Sequence, residues 1–281
     1  MSEFGVSHLS KTVIMKKHAL LVGINNYRDI NGLMGCINDV TNVRNILKTF
    51  FGFANDDIRV LTDDRATKAN IISRLEKMVE AARKGDHLIF QFSGHGSQIR
   101  DRDGDELSDH LDELICPWDM NWDDGYISDD MLRTILDRLV PGVKMEIILD
   151  SCHSGTGTRA LEDNSFKNRF HRPPVDIECR LQGDEDKLKP TRAFRTDPLI
   201  LMNHILWAAC RDNQTSADAF IDGRYNGAFT YYFCKHIREN RGNLQREELY
   251  RRIADSLSHH NFNQTPQLEC NKDLKTGNIF S

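Results

Sequence analysis

Two apolar runs of strand length, each stopped by small residues and a reactive side chain, restrict this chain more than any other feature. Val143 to Leu149 runs into Asp150-Ser151-Cys152-His153-Ser154-Gly155, and His87 to Phe92 runs into Ser93-Gly94-His95-Gly96. A continuous apolar run bounded in this way reads as a parallel strand buried on both faces. Open α/β sheets gather their chemistry at the carboxyl ends of such strands. If the two strands are neighbours, the Cys152 thiol and the His95 imidazole meet on one rim. A Cys–His pair is a standard source of thiolate at neutral pH, because the imidazolium stabilises S⁻. The backbone N–H groups of Gly96 and Cys152 are then suited to hold an oxyanion. His153 competes for the role of base, but a sequence neighbour on extended chain points the other way.

Strands and helices alternate along the rest of the chain. His18 to Ile24 reads as a first strand, and Ile37, Val40, Val43, Leu47 and Phe50 carry a helical stripe over Cys36–Phe50. Ile58 to Leu61 is a short strand. Thr67 is placed to cap a helix running to about Arg83, and Ser128 another that ends before Pro141-Gly142, with Asp129 and Asp130 in its first turn. Later come a strand near His204–Ala209 and helices near Thr230–Glu239 and Gln245–Leu257. Such alternation argues for a mostly parallel sheet with right-handed crossovers. Between Arg159 and Pro198 the chain is polar, holds Pro173-Pro174 and nine basic residues including Lys167, Arg169 and Arg172, and has no periodicity. It reads as a linker or mobile loop.

The motifs around His95 and Cys152 resemble the caspase-like cysteine peptidases, and the metacaspases and their prokaryotic relatives in particular. The 57-residue separation of the two fits the caspase pattern. Four further stretches strengthen the resemblance: Leu20 to Asn25, Gly35-Cys36-Ile37-Asn38-Asp39-Val40, Gln214-Thr215-Ser216-Ala217-Asp218 and Gly227-Ala228-Phe229-Thr230. The resemblance implies a caspase-like three-layer α/β sandwich, with a mostly parallel six-stranded sheet and helices on both faces. It divides the chain into a leader (1–16), a large-subunit-like region (17–158), a linker (159–198) and a small-subunit-like region (199–281), one domain in all. It implies a cysteine endopeptidase cutting after Arg or Lys through an acyl-enzyme, with self-cleavage expected among the basic residues of the linker. The alternative is a catalytically silent scaffold of the same fold.

Asp39 and Asp150, read from spacing alone, are ordinary helix-surface and strand-end acids. The resemblance assigns them to an S1 pocket for Arg or Lys, lined also by Cys36 and Ser93, with Asp218 in a substrate-side loop. Paired carboxylates would favour a guanidinium through bidentate, charge-assisted bonds. No cofactor is required for this chemistry, and calcium is the one candidate ion. The acid-rich stretch from Asp101 to Glu113 is not an EF-hand, because Gly104 comes at the fourth position rather than the sixth. By resemblance, Asp112, Asp129 and Asp130 match a calcium cluster, although Arg159 stands where that cluster takes an acid.

Composition excludes several other functions. A net charge of −5 with 28% charged residues and no basic stripe argues against nucleic-acid binding. Seven irregularly spaced cysteines fit a reducing compartment better than a disulfide framework. Ala19 to Ile24 is too short for a signal peptide and lacks a cleavage site, and no run approaches the ~20 apolar residues of a membrane span. The expectation is a cytoplasmic monomer whose partners are peptide or protein substrates. A phosphatase loop needs Cys-x5-Arg, whereas Cys152 and Arg159 are one residue too far apart. Adjacent Cys152 and His153 are equally poor as zinc ligands.

Overall fold

The computed structural model describes residues 15–100, 111–153, 166–177, 204–211 and 214–281. Residues 1–14 of the expected leader, most of the linker with Arg159, and the acids from Asp101 to Asp109 lie outside the described residues.

The central sheet has six strands: β1 (Lys17–Gly23), β2 (Ile58–Thr62), β3 (His87–Ser93), β7 (Lys144–Asp150), β9 (Ile205–Ala208) and β12 (Gln267–Glu269). Their spatial order is β12-β9-β7-β3-β1-β2. The five successive neighbours from β9 to β2 pair in parallel, and only the edge strand β12 is antiparallel. The sheet is covered on both faces, as continuous apolar strands require. In β1 alternate residues face opposite layers. Ala19 and Leu21 join one core with Val43 and Leu47 of helix α1 (Cys36–Phe50), Phe229 and Phe233 of α4 (Ala228–Glu239) and Leu249 and Ile253 of α5 (Arg246–His259). Leu20 and Val22 join the other with Ile71 and Leu75 of α2 (Lys68–Ala81) and Leu132 and Ile135 of α3 (Asp129–Leu136). Both expected caps form. Thr67 Oγ1 accepts from the Asn70 N–H at 3.2 Å, and Ser128 Oγ accepts from the Met131 N–H at 3.3 Å. Among the described residues, no helix is long and apolar enough to cross a membrane.

Two small antiparallel sheets flank the tips of the central strands. One is β4 (Gly96–Arg100), β5 (Leu111–Ile115) and β6 (Ile127–Ser128); the other is β8 (Phe166–Asn168), β10 (Ala217–Ile221) and β11 (Arg224–Gly227). The stretch 166–177 was expected to be part of a mobile linker. Instead β8 pairs with β10, because short strands can borrow order from a partner edge that sequence periodicity does not reveal.

At the centre, β3 and β7 pair in register from His87↔Lys144 to Ser93↔Asp150. The two strands therefore end level with each other. The segments carrying His95 and Cys152 leave from adjacent tips.

Candidate active site

Each tip is tied down by backbone bonds. Gly94 N–H donates to the Asp150 carbonyl at 3.3 Å, and Ile24 N–H to the Ser93 carbonyl at 3.1 Å. His95 N–H donates to the Tyr27 hydroxyl at 2.7 Å, and the two rings lie 5.1 Å apart. His95 Nε2 sits 2.8 Å from the Asn31 carbonyl. A carbonyl only accepts, so Nε2 carries the proton and Nδ1 is left as the basic nitrogen. Nδ1 is buried and has no hydrogen-bond partner among the described residues. Burial pushes the His95 pKa down to about 4, opposed by the Asn31 carbonyl and assisted by nearby His171. The imidazole is therefore neutral, as a general base must be.

Cys152 is fully buried. Its Sγ lies 2.6 Å from the Ser216 amide, which donates to it. Cys210 is its neighbour, and the hydrogen bond with Cys152 together with burial raises the Cys210 thiol well above its ordinary pKa. His153, the competing base, is buried, with Nε2 3.7 Å from a Glu113 carboxylate oxygen on β5.

The expected pocket acids converge. Asp39 in the first turn of α1, Asp150 at the end of β7 and Asp218 in β10 are all fully buried, and all three contact the guanidinium of Arg169. Arg169 Nη2 lies 2.7 Å from Asp39 Oδ2 and 3.1 Å from Asp218 Oδ1; Nη1 lies 3.1 Å from Asp150 Oδ1. Nη1 also donates to the Asp150 carbonyl at 3.0 Å. The acids are positioned in turn by the chain around them. Asp150 Oδ2 accepts from Thr230 N and Oγ1, and Oδ1 from Ser216 Oγ at 2.6 Å. Asp218 accepts from the amides of Met34 and Gly35, and Asp39 from that of Gly227. Position 227 must lack a side chain, since a Cβ there would overlap both the Asp150 carboxylate and the Arg169 guanidinium.

Three acids around one cation do not share its charge equally. Burial raises the Asp39 pKa to about 8, against the lowering by Arg169 and with help from the Asp150 charge. Burial alone would lower the Arg169 guanidinium, but Asp150, Cys36, Asp39 and Asp218 more than offset it and hold it well above its ordinary value. Cys36, also buried, is kept neutral by burial and stands beside this cluster. Ser93 lies at the tip of β3, where its Oγ accepts from Gln91 Nε2 at 2.6 Å.

The backbone of Arg169 completes the arrangement. β8 runs antiparallel to β10, with Asn168 opposite Ala217 and Lys167 opposite Asp218. Arg169 N–H donates to the Ser216 carbonyl at 3.1 Å and continues the ladder. Its own carbonyl oxygen accepts from Gly96 N–H at 2.9 Å and from Cys152 N–H at 3.2 Å. These are the two donors expected to hold an oxyanion. A Cβ at position 96 would overlap the Cys152 carbonyl, so the two tips can approach this closely only with glycine there. The arrangement presents an arginyl peptide, side chain in an acidic pocket and carbonyl between two amides, beside a cysteine.

This geometry agrees with what the chain resembles. A family model for the metacaspase peptidase C14 domain matches residues 17–160. Metacaspase-1 of Ajellomyces capsulatus is 34% identical over 299 aligned positions, covering 94% of this chain and 82% of that protein. The chain belongs to the metacaspase family. Metacaspase-1 of Pyricularia oryzae is likewise 34% identical, with 94% of this chain and 74% of that protein covered. Among solved structures, a protein of Geobacter sulfurreducens aligns with a TM-score of 0.69 at 26% identity, covering 95% of this chain and 98% of that one. Caspase-1 of Spodoptera frugiperda shares the fold at a TM-score of 0.58 and 12% identity, over 92% of this chain and 89% of that one. The metacaspase is thus a cysteine-type peptidase with a caspase-like α/β fold.

The candidate metal ligands come from two elements. Asp112 lies on β5 opposite Ile99, and Asp129 and Asp130 open α3. Asp130 pairs with Arg133. Among the described residues, no three His, Cys, Asp or Glu side chains form a group able to hold a metal ion. The acids from Asp101 to Asp109 lie outside the described residues, and no chemical step below passes through a metal.

Sequence reasoning missed five contributors. The Asn31 carbonyl that fixes the histidine tautomer is a backbone group with no residue signature. Tyr27 follows the first strand but carries no motif of its own. Ser216 and Thr230 lie inside stretches singled out by resemblance, without roles. Arg169 was one of nine basic residues in an aperiodic stretch, and nothing local sets it apart.

Proposed function

We propose that the metacaspase is an endopeptidase directed to Arg and Lys, working through Cys152 and His95, and that it cleaves its own Arg169–Phe170 bond. The observation that carries this reading is Arg169, whose side chain meets three carboxylates while its carbonyl accepts from Gly96 and Cys152. A guanidinium suits this pocket because its planar fork can address several carboxylate oxygens at once. A Lys ammonium brings the same charge with fewer fixed donors, so it ranks second.

The steps follow from the groups present. The Cys152 thiol passes its proton to His95 Nδ1, and the thiolate attacks the carbonyl carbon after Arg. The resulting oxyanion is held by the amides of Gly96 and Cys152, each such donor contributing about 10²–10³ in rate. Collapse breaks the C–N bond, and His95 returns the proton to the leaving amine. Water, deprotonated by His95, then hydrolyses the thioester and frees Cys152.

Incubation of the purified full chain tests this reading, with the products separated and their amino termini sequenced. The expected result is a fragment beginning at Phe170, which is absent in Cys152→Ala and in Arg169→Gln. An intact wild-type chain, with or without added calcium, that also ignores Arg-terminated fluorogenic peptides would overturn the proposal in favour of a silent scaffold.

A further inference from the structure

Beyond Arg169 the chain stays in the cleft for two more residues. Phe170 bridges Gly96 in parallel, and His171 N–H donates to the Gly96 carbonyl at 2.9 Å. Ser97 Oγ donates to the His171 carbonyl at 2.6 Å. These bonds address the backbone and are blind to sequence. The side chain of His171 meets something more selective. Its ring stacks on the indole of Trp122, with centroids 5.2 Å apart and planes inclined by 23°. Burial lowers the pKa of His171, which favours a neutral ring in this stack. The His95 ring lies 6.3 Å from that of His171, inclined to it by 53°. Trp122 is itself held in place by the small apolar cluster of Ile99, Leu114, Cys116, Met120 and Tyr126.

We infer that Trp122 forms a subsite for the second residue after the cleaved bond, and that this subsite selects a flat aromatic or imidazole side chain. The inference rests on the reading that Arg169–Phe170 occupies the place of a scissile bond. Nothing in the motifs around His95 and Cys152 points to Trp122, which lies in the connection between β5 and β6. The primed residues depart with the amine when the acyl-enzyme forms. Trp122 therefore acts on acylation, and its effect belongs in kcat/KM rather than in the later hydrolysis.

The test uses the full chain and internally quenched peptides of sequence Phe-Lys-Asn-Arg-Phe-Xaa-Arg-Pro, with Xaa as His, Trp, Ala or Asp. Stacked ring pairs contribute enough to raise kcat/KM about tenfold for His or Trp over Ala. Trp122→Phe should keep most of that ratio. Trp122→Ala, and Trp122→Leu as the variant that retains apolar bulk, should bring it close to one. A wild-type ratio within about twofold of one, or a ratio that survives both ring-removing variants, would overturn the inference. The peptide Phe-Lys-Asn-Arg-aminomethylcoumarin has no residue at this position and is expected to be cut. Failure of wild type to cut it would sink the Arg-directed reading, and this subsite with it.

Discussion

Arg169 is surrounded by more negative charge than it can neutralise, and the surplus should be visible in the pH dependence of the enzyme. Asp39, with its pKa raised to about 8, holds its proton below that pH and ionises above it. A cationic side chain entering the pocket gains a further full charge partner only when Asp39 is ionised. The kcat/KM for Arg substrates should therefore rise as pH increases through about 8, and Asp39→Asn should remove that limb while lowering the plateau. Hydrogen bonds to charged groups are worth about 1.5–3 kcal/mol, so the plateau loss should be about 10- to 100-fold. Initial rates from pH 6 to 10 check this, and a limb unchanged in Asp39→Asn would refute it. The pocket was only partly legible at this scale. Spacing alone left Asp39 as a helix-surface acid and Asp150 as a strand-end acid, because their convergence depends on a helix start and a strand end brought together by the fold. The motifs around them supplied the assignment, and the structure buries both carboxylates completely.

At the scale of elements, the proposed reading makes β8 and the three residues after it a tethered ligand. A segment held near its own site competes at an effective concentration in the millimolar range. Any peptide in solution must displace it. Arg169→Gln removes the charge that anchors the segment, so KM for an Arg-terminated coumarin peptide should fall by about tenfold, with kcat little changed. Steady-state kinetics on freshly purified protein would show it; an unaltered KM would mean that the segment does not obstruct the cleft. This element escaped sequence reading for a physical reason. β8 has three residues and makes its bonds to β10, a strand some fifty positions away, so no local periodicity records it. β1, β3 and β7 have seven residues each and are buried on both faces, so their apolar runs announced them.

For the molecule as a whole, stability and chemistry are housed at different depths of the same strands. Glu146, four residues before Asp150 on β7, is fully buried. It accepts from Arg246 at 2.6 Å, Trp207 Nε1 at 3.0 Å and the Phe280 amide at 2.9 Å. Burial works against its ionisation, but His87 and Arg246 outweigh that and hold its carboxyl below the usual range. This cluster joins β7, β9, α5 and the C-terminal residues about 13 Å along the strand from the site. Glu146→Gln leaves Arg246 buried beside a neutral amide and should cost about 3–5 kcal/mol. For a domain of this size that lowers Tm by roughly 6–20 °C. At temperatures where the variant is folded, its kcat/KM should match wild type; an intact Tm would show that the cluster is not structural. The parallel strands and their helical layers were legible from long buried runs alternating with helices, whereas the strand count came from the resemblance and the three-residue edge strand β12 left no signal of its own.

The level ending of β3 and β7 has one more consequence. Since His95 and Cys152 follow adjacent strand tips of the central sheet, the proposed dyad needs no large rearrangement to bring thiol and imidazole together. On the proposed reading, readiness turns on whether a short guest stretch of the chain's own sequence stays seated or leaves. Control over such a catalyst needs only to act on the departure of that guest.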